Sequence, residues 1–168
     1  MTAAPVREPA WSMPRSAISL WVTESVIGCV FLGLAVAAFL LFVPADLGGP
    51  MRVLRWVVPI AVAVYAVVAI GIRPWFKHRV YRWEITEDAA FTRTGWLSQT
   101  WTLVPISRIQ TVDVTRGLLQ QAFGLATVAV LTASSQGTVR IDHLEHDIAR
   151  RVAADLAARA DAVRDEAT

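Results

Sequence analysis

Two long runs without a charged side chain constrain this chain more than anything else in it. From Ser25 to Val43 stand 19 consecutive residues, SVIGCVFLGLAVAAFLLFV, with no Asp, Glu, Lys or Arg. As a helix this run covers roughly 28 Å at 1.5 Å per residue, close to the hydrocarbon thickness of a bilayer. A second run, WVVPIAVAVYAVVAIGI, extends from Trp56 to Ile72. It reaches spanning length once Val53 and Leu54 join it and Arg55 snorkels. Neither run has the polar stripe that a helix of a soluble domain turns to water. A secretory signal would carry one short apolar core and a cleavage site, not two long runs. Trp21, Phe42, Trp56 and Trp75 fall at the run ends, where interfacial aromatics belong. Glu24, at the edge of the first run, reads as an interfacial carboxylate. The sequence thus predicts two transmembrane helices within residues 18–72, over 18–43 and 53–72, with Pro59 in the first turn or so of the second. The connecting PADLGGPMR, with Pro44, Gly48, Gly49 and Pro50, makes a tight turn and hence an antiparallel hairpin.

Charge sets the expected orientation. Arg7 and Arg15 precede the first run, and Arg73, Lys77, Arg79 and Arg82 follow the second; the loop holds Arg52 and Arg55 with Asp46. Six basic residues against two favour both termini in the cytoplasm, on a multi-pass protein of the plasma membrane. Residues 1–17 then form a cytoplasmic N-terminal tail and 73–79 a juxtamembrane basic linker.

The remainder has a different solvent. Overall 55% of residues are hydrophobic and 18% charged, against about 45–50% and 25% for an average soluble domain. The excess lies before Arg73. Residues 73–168 carry 12 Lys/Arg and 11 Asp/Glu, an ordinary balance and length for one small domain. Cys29 is the single cysteine, so no internal disulfide forms, as suits a reducing compartment. A net charge of +2 gives no footprint for a nucleic-acid partner.

From about Arg79 apolar blocks give way to alternation. VYRWEIT sets Tyr81, Trp83 and Ile85 against Arg82, Glu84 and Thr86, a half-buried strand. Glu87-Asp88 make a polar turn. AFTRTGWL, TWTLVPI, IQTVDVT, LATVAVLT and TVRI read as five further strands, with GLLQQAFG as a short helical turn or bulged loop. Strands at this spacing argue a small antiparallel sandwich or barrel. A helix follows, from about His143 to Ala160. Asp142 with Glu145 forms a capping-box pattern, and Leu144, Ile148, Val152 and Leu156 make one apolar face. Arg151, Asp155 and Arg159 step by four on the polar side. The domain is expected over 80–162, with 163–168 frayed. Strands first and one amphipathic helix last is the order of a pleckstrin-homology-type barrel capped by its C-terminal helix.

The stretch VPISRIQTVDVTRGLLQQAFGLATVAVLTA, Val104 to Ala133, resembles the bacterial pleckstrin-homology domain family of YdbS-like membrane proteins. The resemblance rests on Pro105-Ile106-Ser107-Arg108-Ile109-Gln110, on Gly117-Leu118-Leu119-Gln120 and on Phe123-Gly124-Leu125-Ala126. It covers the whole chain, because that family also places two membrane spans before one such domain. It implies a fold rather than a reaction. Where the family often has a basic residue after Gln120, this chain has Gln121. The motif residues read mainly as architecture. Pro105 ends a strand, Arg108 reaches carbonyls or Asp113, Ile109 and Gln110 open the next strand, and Gly117 and Gly124 permit positive φ.

Chemistry-bearing clusters are sparse. His143 and His146 are one turn apart in the expected helix, but zinc takes three or four protein ligands and no further cluster supplies them. No metal and no cofactor are expected. There is no phosphate-binding Gly loop, GxSxG, HExxH or Cys/His zinc spacing, so no catalytic residue is assigned and a non-enzymatic role is expected. Arg73, Lys77, Arg79 and Arg82 are the candidate contacts to membrane lipids, each worth about 1 kcal/mol near an anionic leaflet. The chain is expected to be a membrane-anchored PH-like interaction module, a non-catalytic subunit or scaffold. Its expected partner is another membrane protein or a second copy of itself. The alternatives are an anionic lipid headgroup-binding module and an accessory subunit of a membrane enzyme or transporter. Glu87-Asp88, at the first hairpin turn, would repel a phosphorylated headgroup.

Overall fold

The computed structural model describes residues 8–44, 48–95, 98–132 and 137–166. Arg7, the expected loop residues 45–47, the second-strand end at 96–97, the turn residues 134–136 and the tail end at 167–168 lie outside them. The chain divides into two compact units, Met1–Ile18 with Phe76–Thr168, and Ser19–Trp75.

Apolar helix dominates the Ser19–Trp75 unit. Helix α1 runs Ser16–Phe42, and α2 runs Pro50–Ala66. A wide π turn, Val67–Ile72, leads into α3, Arg73–Val80, so helix is continuous over Pro50–Val80. Both are long and apolar enough to cross a membrane. Their large apolar side chains are bare of protein, with Phe31, Leu41, Phe42 and Val67 all exposed, as lipid-facing residues would be. Arg55 Nη1 donates to the Val43 carbonyl at 2.7 Å, which fastens the end of α1 to the start of α2. The second helix begins six residues before Trp56, with Pro50 in its first turn and Pro59 in its interior. The expectation for Pro59 is thereby corrected. The π turn carries a five-residue hydrogen bond from Arg73 N–H to the Val68 carbonyl. It falls just before Pro74, whose ring would press on the carbonyl of Ile70 in a regular α-helix. Trp21 is buried, whereas Phe42, Trp56 and Trp75 are exposed.

The other unit is antiparallel β with one long helix. Its strands are β1 (Trp11–Ser12), β2 (Arg82–Ile85), β3 (Ala89–Thr94), β4 (Thr100–Pro105), β5 (Ile109–Thr115), β6 (Leu125–Thr132) and β7 (Thr138–Glu145). A 3-10 turn, Ile106–Arg108, joins β4 to β5, and α4, Leu118–Ala122, joins β5 to β6. Helix α5 runs His146–Glu166. The strands form two sheets, β1-β2-β3-β4 and β5-β6-β7. Among the described residues no ladder joins the sheets, so the architecture is two antiparallel sheets with a C-terminal helix and not a closed barrel.

The bounds of β5 and β6 match the runs read from the sequence, although β6 is buried at every position but Leu131. The start of α5 is not legible in that way. Leu125↔Glu145 and Ala126↔Leu144 continue the β6–β7 ladder, and the His146 N–H donates to the Gly124 carbonyl. Asp142 is therefore a strand residue and not an N-cap: the tertiary ladder outweighs a local capping pattern made of the same residues. Leu144 is buried from the strand. The helix buries Ala149, Ala153, Leu156 and Ala160, while Ile148 and Val152 are only half-buried at its margin. Alanines on the packed face let α5 lie close to β5 and β6. Asp155 and Arg159 pair at 2.9 Å as expected, while Arg151 Nε donates to the Asp147 carbonyl. Regular helix persists to Glu166, past the expected end.

Candidate functional site

The motif from Pro105 to Ala126 builds a polar hinge between the strands. Pro105 ends β4, Ile106 and Ile109 are buried, and Arg108, Gln110 and Asp113 are exposed. Two β5 steps, Ile109 to Thr111, oppose the single β6 step from Thr132 to Leu131. Gln110 is thus the extra residue of a β-bulge. Among the described residues no hydrogen bond or ion pair joins Arg108 to Asp113, contrary to that expectation. The glycines also part company. Gly124 has φ 67, as expected, but Gly117 has φ −75 and ψ 167, extended backbone open to any residue.

Gln120 is the centre of this hinge. Its Oε1 accepts from the Gly117 N–H at 3.0 Å, which fixes the orientation of the amide. Its Nε2 then donates to Thr127 Oγ1 at 2.9 Å and to His143 Nδ1 at 3.1 Å. The buried Thr127 hydroxyl in turn donates to Asp142 Oδ1 at 3.1 Å. His143 Nδ1 is thereby an acceptor, and the ring proton lies on Nε2. His143 has φ 59 and sits where Ala126↔Leu144 shifts to Val128↔Ile141, a second bulge. Asp142 and His143 are therefore held by strand architecture. No group of three or more His, Cys, Asp or Glu suited to a metal occurs among the described residues.

The basic candidates do not converge on one pocket. Arg73, Lys77 and Arg79 lie on α3 and Arg82 opens β2. Arg73 and Arg79 are exposed, and Lys77 and Arg82 half-buried. At the first hairpin turn, Thr86 N–H donates to the Ala89 carbonyl and Ala89 N–H to the Thr86 hydroxyl. Those donors are consumed within the turn, and Glu87 and Asp88 are exposed beside them. A hollow of 460 Å³ lined by Glu84, Asp88, Phe91 and Leu103 adjoins this turn. It offers acid and apolar surface, not a phosphate cradle. On β4, Trp101 and Leu103 are both exposed, and their spacing puts them on one face. A cavity of 480 Å³ between β3–β4 and β7 is lined by Thr92, Thr94, Thr100, Thr102 and Thr138 with Arg140.

Sequence reasoning missed the N-terminal segment. Residues before α1 are not merely a tail: Trp11 pairs with Trp83 and Ser12 with Arg82. Ala10 N–H donates to Glu84 Oε2 at 3.1 Å, and Arg93 Nη1 to Glu8 Oε1 at 2.7 Å. The Met13 carbonyl lies 2.9 Å from His78 Nε2. A two-residue strand has no period to detect; only Trp11 and Met13, apolar residues ahead of a membrane run, hint at a packed segment.

Comparison with known proteins agrees with this architecture. The sequence profile of a family described as "Bacterial PH domain" matches residues 22–160. The chain is similar to the UPF0699 transmembrane protein YdbS of Bacillus subtilis (strain 168), with 32% identity over 83 residues, 48% of this chain and 52% of that protein. It thus spans about half the length of that relative. No solved structure matches.

Proposed function

The chain belongs to the bacterial PH domain family, and from that premise we propose that this membrane protein is a non-catalytic interaction module. Its hairpin crosses the bilayer twice, with both termini and the PH-like domain on the cytoplasmic face. The basic asymmetry supports that orientation. Connectivity supports both ends lying on one face: β1 immediately precedes α1, β2 follows α3, and the two strands are neighbours in one sheet.

The partner is another membrane protein or a second copy of the chain, which makes this a scaffold or an accessory subunit of a membrane assembly. One observation carries the reading. The exposed pair Trp101 and Leu103 stands on one face of β4, beside an acid-rimmed hollow at the turn. Exposed aromatic and aliphatic surface with a polar rim suits protein contact. The test is a photo-crosslinking amino acid in place of Leu103, in the full chain in native membranes. A discrete protein adduct is expected on illumination. Adducts to lipid with none to protein would overturn the reading. Anionic lipid is the second reading, supported by the exposed Arg73 and Arg79 on α3. It calls for contact with charge and not for a headgroup pocket.

A further inference from the structure

We infer that the outer edge of β2 is a peptide-binding groove that residues 8–13 occupy in cis. The protein partner docks there with an extended acidic segment of its own. The inference rests on the interaction-module reading and deepens it.

The cis occupant spells out the recognition chemistry. An acidic side chain meets Arg93, whose Nε is already anchored on the Val80 carbonyl at 3.0 Å. A backbone N–H meets the buried Glu84 carboxylate. Two residues add to the β2 ladder, and a carbonyl meets His78. This is strand addition, with main-chain bonds giving affinity and side-chain sites giving selectivity.

Charge explains why the added segment must be acidic. Arg82 and Arg93 are direct cross-strand partners, and like charges so placed repel. Glu8 offsets only one of them. Its pairing is with Arg93, whose side chain is 12% exposed, while Glu8 itself is 77% exposed. Arg82 has no hydrogen bond or ion pair among the described residues. A segment with a second acidic residue meets both arginines and fits better than the cis strap.

The fit of the strap is also incomplete below its ladder. Trp83 Nε1 is buried without a hydrogen-bond partner among the described residues. Trp83 lines a hollow of 460 Å³ together with Ser12, Met13, His78 and Ile148. A side chain larger than those of the strap has room there. The strap is buried at Pro9 and Met13, but its ladder is short. It has two ladder residues, and Trp11 is 60% exposed. Tethering adds to these contacts, because it gives a cis segment an effective concentration on the order of millimolar.

The test uses the full chain in phosphatidylcholine nanodiscs. The probe is a fluorescent peptide copying residues 8–15, and the readout is anisotropy. Glu8→Arg repels Arg93 and releases the strap, which loss of amide protection at Trp11 and Ser12 reports independently. The variant is expected to bind the peptide at least tenfold more tightly than the wild type, and Glu8→Gln to fall between them. Adding Arg93→Gln to Glu8→Arg should abolish the gain. Strap amides that stay protected in Glu8→Arg would show a permanent strand and overturn the inference. So would a released strap without peptide binding, or binding indifferent to Arg93→Gln. If the Leu103 adduct persists through such a result, the interaction-module reading stands and only this groove is lost.

Discussion

Gln120 and Thr127 are joined side chain to side chain at 2.9 Å, which ties α4 to the central strand of its sheet. Thr127 both accepts this bond and donates to Asp142. Thr127→Val keeps the shape and removes both roles, so the half-buried Asp142 loses a donor and Gln120 Nε2 keeps only His143. It should cost about 1–3 kcal/mol, read as a lowered unfolding temperature of the full chain in detergent. Gln120→Glu should also destabilise, because a carboxylate accepts from Gly117 but has no proton for Thr127 or His143. An unchanged transition in both variants would show that the hinge adds nothing to stability.

The two motif glycines should respond differently to alanine. Gly124 holds φ 67, with open space where an added methyl group would project. Gly124→Ala therefore meets only backbone strain, about 1–2 kcal/mol. Gly117 is extended and equally open. Gly117→Ala should be neutral, or stabilise by about 0.4–1 kcal/mol through the unfolded chain. Equal losses at the two sites would contradict these backbone assignments.

The register of α5 predicts where a buried charge hurts most. Leu156 is fully buried, whereas Ile148 is half-buried at the helix start. Leu156→Ala should cost about 2–5 kcal/mol. Leu156→Asp should cost more, because the charge lacks a partner. Ile148→Asp should be clearly milder. Thermal unfolding of the full chain ranks the three, and a larger loss at Ile148 would mean that the helix packs on the other stripe.

These contrasts show what residue order makes visible. Strands β5 and β6 are plain because each is a short run rich in β-branched residues set off by turn residues, and the membrane runs are plain because lipid tolerates almost no charge. The turn at Glu87-Asp88 is plain from its polarity. What lies hidden is non-local. Asp142 and Glu145 look the same in a capping box as in a bulged strand, and only the β6 ladder decides between them. Gly117 carries no sign of its φ. Glu8 and Arg93 are far apart in sequence, and no local pattern announces that they meet. Ile148 and Val152 follow the apolar stripe, yet the closest packing goes to alanines, whose small size is the reason and whose role a hydropathy pattern undervalues.

Topology can be read by cysteine labelling in a Cys29→Ala background. A cysteine at Gly48 should react with an impermeant maleimide added outside intact cells. Cysteines at Glu87 and Thr168 should react only after the membrane is opened. External labelling at Thr168 would reverse the proposed orientation, and opposite behaviour of Glu87 and Thr168 would break the pairing of both with one face.

Lipid contact should follow charge and not headgroup shape. At the first hairpin turn Thr86 and Ala89 spend their N–H groups on each other, and Glu87 and Asp88 are exposed, so the turn presents acid where a phosphorylated headgroup would need cations. The exposed Arg73 and Arg79 remain available on α3, each worth about 1 kcal/mol beside an anionic leaflet. Spin-labelled lipids around the reconstituted full chain measure this preference directly. Phosphatidylserine and phosphatidylglycerol carry equal charge and should associate equally, both more than phosphatidylcholine. The preference should shrink steadily with salt, since exposed charges are screened over about 10 Å at 0.1 M ionic strength. Arg73→Gln and Arg79→Gln should each weaken it without altering the ranking of headgroups. A strong preference for one headgroup at equal charge, surviving high salt, would refute this reading and make the domain a lipid receptor.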